Sequence, residues 1–164
     1  MSWLDKALRY VETGMAILAG LLLVIMTVSI GMSITLRTLN LQVPLWSVQF
    51  NEYSLLWITF LGAAWLLRKG RHVSLDIVTR RLRKGDVGKL QIIHAVFGLV
   101  VCGVLTLYSG AVTWNLFQRG VMDVRAVDVP KYLILLVVFL GLLMLTMEFL
   151  RNLVVGAHRL RRDK

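Results

Sequence analysis

The sequence predicts an all-α integral membrane protein with four transmembrane helices in one membrane domain over residues 1–164. Hydrophobic residues make up 57% of the chain and charged residues only 17%, whereas a soluble domain is about 45–50% apolar and about 25% charged. The apolar residues form four long blocks, and a helix needs roughly 20 of them to cross a bilayer. The alternating pattern of a membrane β-barrel is absent. The predicted spans cover about 13–36, 45–67, 90–117 and 130–150.

The distribution of lysine and arginine predicts the orientation of these spans. Of the 19 basic residues, two precede the first span, eight lie between the second and third, and five follow the fourth. The other four are Arg37, Arg119, Arg125 and Lys131. Because basic loops stay on the cytoplasmic side, the sequence predicts an N-in, C-in topology. The net charge of +10 is then explained by topology and by membrane lipid headgroups, and no nucleic-acid partner is expected.

Two amphipathic segments, over about 2–12 and 73–84, are predicted to be short interfacial helices that lie on the membrane surface. Apolar residues share one face of each segment, and most of the charged residues lie off that face. Near the end of the fourth span, Glu148 and Arg151 are spaced at i and i+3. This spacing predicts an ion pair on the protein surface.

A polar stripe runs along the second predicted span. Gln49, Glu52 and Thr59 recur at i, i+3 and i+10 and share one helical face. A carboxylate inside a span is costly unless it is paired or meets water. Arg37 ends the first span at a similar depth, so we predict a structural Arg37–Glu52 ion pair and a stripe that faces another helix or a partner chain. The alternative is that Glu52 is a ligand for an ion or a substrate.

The sequence lacks the residue patterns that enzymes and cofactor-binding proteins use. His72, His94 and His158 all fall at or near the predicted inner boundary, so no two of them face each other inside the spans to hold a haem. Phosphate-binding loops, HExxH and nucleophile elbows are absent from the sequence. The single cysteine, Cys102, can form neither an internal disulfide nor a multi-cysteine metal site. We therefore expect no enzyme activity and no cofactor in this chain.

A recognisable pattern extends from the end of the first span into the basic loop. It begins with Arg37 and Trp46, and it continues with the run WITFLGAAWLLRKGRHVSLDIV from Trp57 to Val78. The pattern positions are Glu52, Trp57, Phe60, Leu61, Gly62, Ala63, Ala64, Arg68, Gly70, His72 and Asp76. In order and spacing these residues resemble the DctQ-like small membrane subunit of tripartite ATP-independent periplasmic (TRAP) transporters.

The resemblance implies a non-catalytic subunit in a bacterial or archaeal inner membrane. Its partners would be a large permease subunit, which has about a dozen spans, and a periplasmic solute-binding protein. The large subunit would carry the substrate and Na⁺ sites of a sodium symporter for carboxylate-bearing solutes. The small subunit would extend the scaffold of that permease.

Two other functions remain open at this point. The first is a self-sufficient small transporter, similar to four-helix multidrug exporters, with Glu52 as its proton-coupled site. The strong charge bias disfavours this reading, because such exporters need little bias. A membrane anchor for a redox complex is disfavoured by the placement of the histidines.

Overall fold

The structure is a computed structural model, and it describes residues 3–70 and 84–162. Four α-helices account for most of these residues. They are α1 (Trp3–Thr38), α2 (Leu45–Gly70), α3 (Lys84–Arg119) and α4 (Lys131–Arg162). Two short strands, β1 (Met122–Asp123) and β2 (Val129–Pro130), pair antiparallel between α3 and α4, with Met122 opposite Pro130. The α-helical architecture agrees with the prediction.

The lengths of three helices agree with a membrane location. The segments Leu8–Thr38, Ile92–Arg119 and Lys131–Gly156 are long and apolar enough to cross a bilayer. At 26 residues, α2 spans about 39 Å at 1.5 Å per residue, but polar residues interrupt its first half. The fourth crossing, by α2, therefore stays a prediction.

Several helix bounds differ from the sequence predictions. The chain forms one continuous helix from Trp3 to Thr38, where a separate interfacial helix was predicted over 2–12. No proline interrupts this stretch, and a single interior glycine such as Gly14 costs a helix only about 1 kcal/mol. Helix α4 begins at Lys131 and continues 12 residues beyond the predicted end. The predicted helix at 73–84 lies outside the described residues, apart from Lys84 at the start of α3.

Two residues in the left-handed conformation end α1 and α3. Asn40 has a φ of 55° and Gly120 a φ of 59°. In each case the following N–H donates back to a carbonyl of the last helical turn, Leu41 to Leu36 and Val121 to Leu116. Glycine and asparagine are the residues that favour this helix-ending geometry. The chain can therefore reverse sharply into α2 and into β1.

The helices pack in the spatial order α1, α2, α4, α3. Helices α2 and α4 are central, and α1 and α3 form the two edges. We call the end with residues 39–44 and 120–130 the loop end, and the opposite end the terminal end. Buried apolar side chains lie mainly along the two central helices and the face of α3 toward α4. They include Leu61, Ala64, Ala95, Cys102, Val138, Leu142 and Phe149.

Aromatic rings fill glycine positions where α3 meets α4. The ring of Phe149 occupies the space that a Cβ at Gly98 would need, and the ring of Phe139 lies 3.0 Å from a Cβ placed on Gly110. Thr106 and Thr146 also share a hydrogen bond of 2.9 Å across this interface. Small residues in the third predicted span therefore permit close helix packing, as expected in membranes.

Candidate functional site

A group of four charged residues, here called the Arg68 cluster, joins three helices at the terminal end. It consists of Glu12 on α1, Arg68 on α2, and Glu148 and Arg151 on α4. The Arg68 guanidinium donates through Nη1 to Glu12 Oε2. Its Nε lies 3.4 Å from Glu148 Oε1. Arg151 Nη1 lies 3.0 Å from the same Glu148 oxygen. Arg68 thus connects α2 to both of its neighbours.

The two carboxylates of the Arg68 cluster are withdrawn from solvent. The side chain of Glu12 is 1% exposed and that of Glu148 is 0% exposed. A buried carboxylate costs several kcal/mol of desolvation, which an ion partner and hydrogen bonds must offset. The i, i+3 contact between Glu148 and Arg151 was predicted, but Glu148 is buried and not on the surface. The reason is that Arg68 approaches it from α2, a contact 80 positions away in sequence that local spacing cannot reveal.

A second group of polar residues, here called the Asp123 cluster, attaches the connection between α3 and α4 to α2 at the loop end. It consists of Gln49, Glu52 and Tyr53 on α2 with Asp123, Arg125 and Lys131. The amide of the buried Gln49 bonds both backbone groups of Val127: Nε2 donates to its carbonyl and Oε1 accepts from its N–H, each at 2.9 Å. The Tyr53 hydroxyl donates to Asp123 Oδ2.

Electrostatics at the Asp123 cluster favour the ionised Asp123 carboxylate. The hydrogen bond from Tyr53 lowers the pKa of Asp123 below its usual value, and the charges of Arg125 and Lys131 lower this pKa further. Arg125 Nε lies 3.5 Å from Asp123 Oδ2, and Lys131 Nζ lies 3.7 Å from Oδ1. The cluster therefore brings three hydrogen-bonding side chains of α2 against one charged connection.

The structure corrects the predicted partner of Glu52. Glu52 Oε2 accepts from Arg125 Nη1 at 2.7 Å, and among the described residues no ion pair joins it to Arg37. The Schellman-type turn at Asn40 carries the chain into α2, while the α3–α4 connection brings Arg125 over Glu52. The two side chains are 53% and 55% exposed, so this pair resembles surface pairs that contribute about 0–1 kcal/mol.

The predicted polar stripe does not act as one surface. Gln49 is buried in the Asp123 cluster, whereas Glu52 and Thr59 are exposed. The Thr59 hydroxyl donates to Leu55 O of its own helix at 2.8 Å. The three residues therefore share a helical face but not a contact.

The residues that carry the family resemblance have different surroundings. Trp57 Nε1 donates to Ile134 O of α4 at 3.4 Å, and Trp46 is half exposed near the start of α2. Space around Gly62 is open, and Ala63 is half-buried. Gly70 is the last residue of α2. His72 and Asp76 lie outside the described residues.

Two structural residues were not singled out by sequence reasoning. A Cβ on Gly141 would stand 2.6 Å from the Phe60 carbonyl oxygen, so only glycine lets α4 approach α2 this closely. Glu12 was assigned to the polar face of a surface helix, and its burial depends on Arg68. Glycine in a helix and an isolated acid near a span end were the available signals, and neither identifies its partner.

Comparison with known proteins identifies one family. Residues 26–159 match the family described as "Tripartite ATP-independent periplasmic transporters, DctQ component". Comparisons with curated proteins and with solved structures give no significant match. The matched range includes α2, α3, most of α4 and the end of α1 from residue 26, together with both loop-end connections and every member of the two clusters except Glu12. This chain therefore belongs to the DctQ family, the small permease component of TRAP transporters.

Proposed function

We propose that this chain extends the fixed scaffold of the large permease subunit in a sodium-coupled TRAP transporter. In this complex a periplasmic binding protein delivers a carboxylate-bearing solute, and the Na⁺ and solute sites lie in the large subunit. Membership of the DctQ family supports the assembly. The scaffold role rests on how this chain uses its own charged residues.

The Arg68 cluster is the observation that carries the scaffold proposal. An ion-binding site in a transporter uses polar groups that are left available for the ion, commonly at interrupted helices. Here Glu12 and Glu148 both bind Arg68, and the four helices run without interruption through their described lengths. The buried charges therefore join helices to one another.

We further propose an N-in, C-in inner-membrane topology in which α2 supplies the fourth span. The charge distribution along the sequence supports it. The terminal end, with Lys6, would face the cytoplasm, and the loop end, with Gln42, the periplasm. In a Cys102→Ser background, a cysteine at Gln42 should react with an impermeant thiol reagent in intact cells. A cysteine at Lys6 should react only after the membrane is opened, and the reverse pattern would refute the topology.

The alternative of a self-sufficient exchanger gains no support from Glu52. Its carboxylate lies at the loop end and already binds Arg125. A redox anchor would need facing histidines, and His94 is exposed and contacts the ring of Phe149 at 5.9 Å between centroids. Both alternatives would need Glu52 or His94 as a functional ligand, whereas Glu52 pairs with Arg125 and His94 contacts Phe149.

Reconstitution tests the scaffold proposal. The purified chain in liposomes, under sodium and proton gradients, should show no saturable uptake of carboxylates. The same chain with the large subunit and the binding protein should show sodium-dependent uptake. Gradient-driven uptake by this chain alone would contradict the proposal.

A further inference from the structure

A groove of about 660 Å³ lies between α1 and α2 near the loop end. Most of its wall is apolar and is formed by Met26, Ile30, Ile34, Val43, Val48 and Leu55. Ile30, Ile34, Val48 and Leu55 are also exposed at the surface of the chain. The groove is therefore open to the surroundings of the helix pair and is suited to an apolar ligand.

One end of the groove carries a cation, Arg37, that has no ion-pair partner among the residues that the structure describes. Arg37, in the last turn of α1, lines the groove but makes no side-chain hydrogen bond or ion pair with any other residue that the structure describes. Glu52 lines the groove on the far side of the Ser33–Ser47 contact, and its charge is matched by Arg125. The end of the groove is therefore positively charged overall.

A polar residue interrupts the apolar wall of the groove at a deeper level. Asn51 lines the groove, and its Oδ1 is buried without a hydrogen-bond donor among the described residues. A buried acceptor without a donor costs roughly 1–3 kcal/mol. Because this oxygen is already covered by the protein, ligand binding in the groove depends on Arg37 and the apolar wall.

We propose that this groove binds one glycerophospholipid, with an acyl chain along the apolar wall and its phosphate on Arg37. The candidate membrane segment of α1 ends at Thr38, which places Arg37 at the level where lipid headgroups lie. A guanidinium can donate two parallel hydrogen bonds to phosphate. A soluble anion would leave the apolar wall unused.

Native mass spectrometry of the purified small–large subunit complex in a mild detergent tests this site, with phosphatidylglycerol as the added lipid. Arg37→Gln should weaken lipid binding roughly tenfold, since it removes a charge-assisted hydrogen bond. Arg119→Gln is the matched control, because Arg119 is exposed at the same end and does not line the groove. Equal lipid binding by the unmodified complex and both variants would overturn the proposal.

A second pair of variants keeps the test independent of Arg37. Val48→Phe should fill the groove and reduce lipid retention with Arg37 intact. Val24→Phe adds the same ring to an exposed position of α1 outside the groove, and it should retain lipid as the unmodified complex does. If Val48→Phe retains as much lipid as Val24→Phe, the result contradicts the proposed site.

The identity of the occupant is tested with two further probes. Phosphatidylglycerol should raise the Tm of the complex, and inorganic phosphate at equal concentration should not. A photo-crosslinking residue at Val48 should attach to phospholipid. Equal stabilisation by phosphate would assign the site to a soluble anion, and crosslinking to the large subunit would assign the groove to the protein interface. Either result would overturn the lipid proposal, and neither bears on the scaffold role.

Discussion

Gly141 of α4 packs directly against the backbone of Phe60 on α2. A Cβ at Gly141 would lie 2.6 Å from the Phe60 carbonyl oxygen and 2.8 Å from its carbonyl carbon. Backbone atoms cannot move aside as the end of a flexible side chain can. The separation of the two central helices is therefore set at this position.

Gly141→Ala should force α2 and α4 apart and destabilise the protein by about 1–3 kcal/mol, the usual cost of overpacking. Thermal unfolding of the purified protein measures the loss. Gly103→Ala is the matched control, because a Cβ there meets nothing within 4 Å and alanine favours helix over glycine. The prediction is wrong if the two variants unfold at the same temperature.

Arg68→Gln should be among the most damaging single substitutions at the terminal end. It leaves the buried Glu12 without its cation, and breaking a buried pair in this way typically costs about 3–5 kcal/mol. Lys69→Gln is the neighbouring control. Lys69 is exposed and lies over the Trp65 ring at 4.4 Å, a contact that contributes about 0.5–1 kcal/mol.

Pairing the Arg68 substitution with a second change separates charge from packing. Glu12→Gln in the Arg68→Gln background removes the unpaired carboxylate and should recover part of the lost Tm. If the double variant is less stable than Arg68→Gln alone, the ion pair is not the source of the loss.

Gln49→Ala should loosen the α3–α4 connection and leave the helices in place. The substitution removes both hydrogen bonds to Val127, each with a net contribution of about 1 kcal/mol. Hydrogen–deuterium exchange should rise at the Val127 amide and remain unchanged in α3 and α4. Gln42→Ala, at an exposed position of the α1–α2 connection, should leave the exchange at Val127 as it is.

Asp123 should contribute a pH-dependent part of the stability. Its pKa is lower in the folded protein than the ordinary value of 3.8, so its contribution is present above that value and is lost as the pH falls through the folded pKa. The Tm difference between the unmodified protein and Asp123→Asn should therefore be constant near neutral pH and shrink below about pH 4. A Tm difference that widens on acidification would contradict the assignment.

The helices were predictable because each leaves a local signal in the sequence. Blocks of apolar residues locate α1, α3 and α4, and basic residues such as Arg68 mark where α2 ends. The continuity of α1 from Trp3 to Thr38 was not predictable from the same signal. The first turns of α1 are amphipathic, which is compatible both with a surface helix and with the start of a longer helix that packs against α2.

The ion pairs of Glu12 and Glu52 were not predictable, because their partners are distant in sequence. Glu12 lies 56 positions from Arg68, and Glu52 lies 73 positions from Arg125. Sequence proximity favoured Arg37 for Glu52, since only a short loop separates their helices. The structure shows instead that the hairpin-like α3–α4 connection folds over α2, and nothing in the local pattern of either segment indicates which cation arrives there.

The spatial order α1, α2, α4, α3 means that the described helices enclose no lumen. A closed ring of helices could surround a passage, but an open series has two broad faces and two edges. A passage running along these helices would need a further segment or chain to close it, because the described helices supply only one wall. Within the described residues, the Arg68 cluster joins the helices of this wall at the terminal end, and the Asp123 cluster joins α2 to the α3–α4 connection at the loop end.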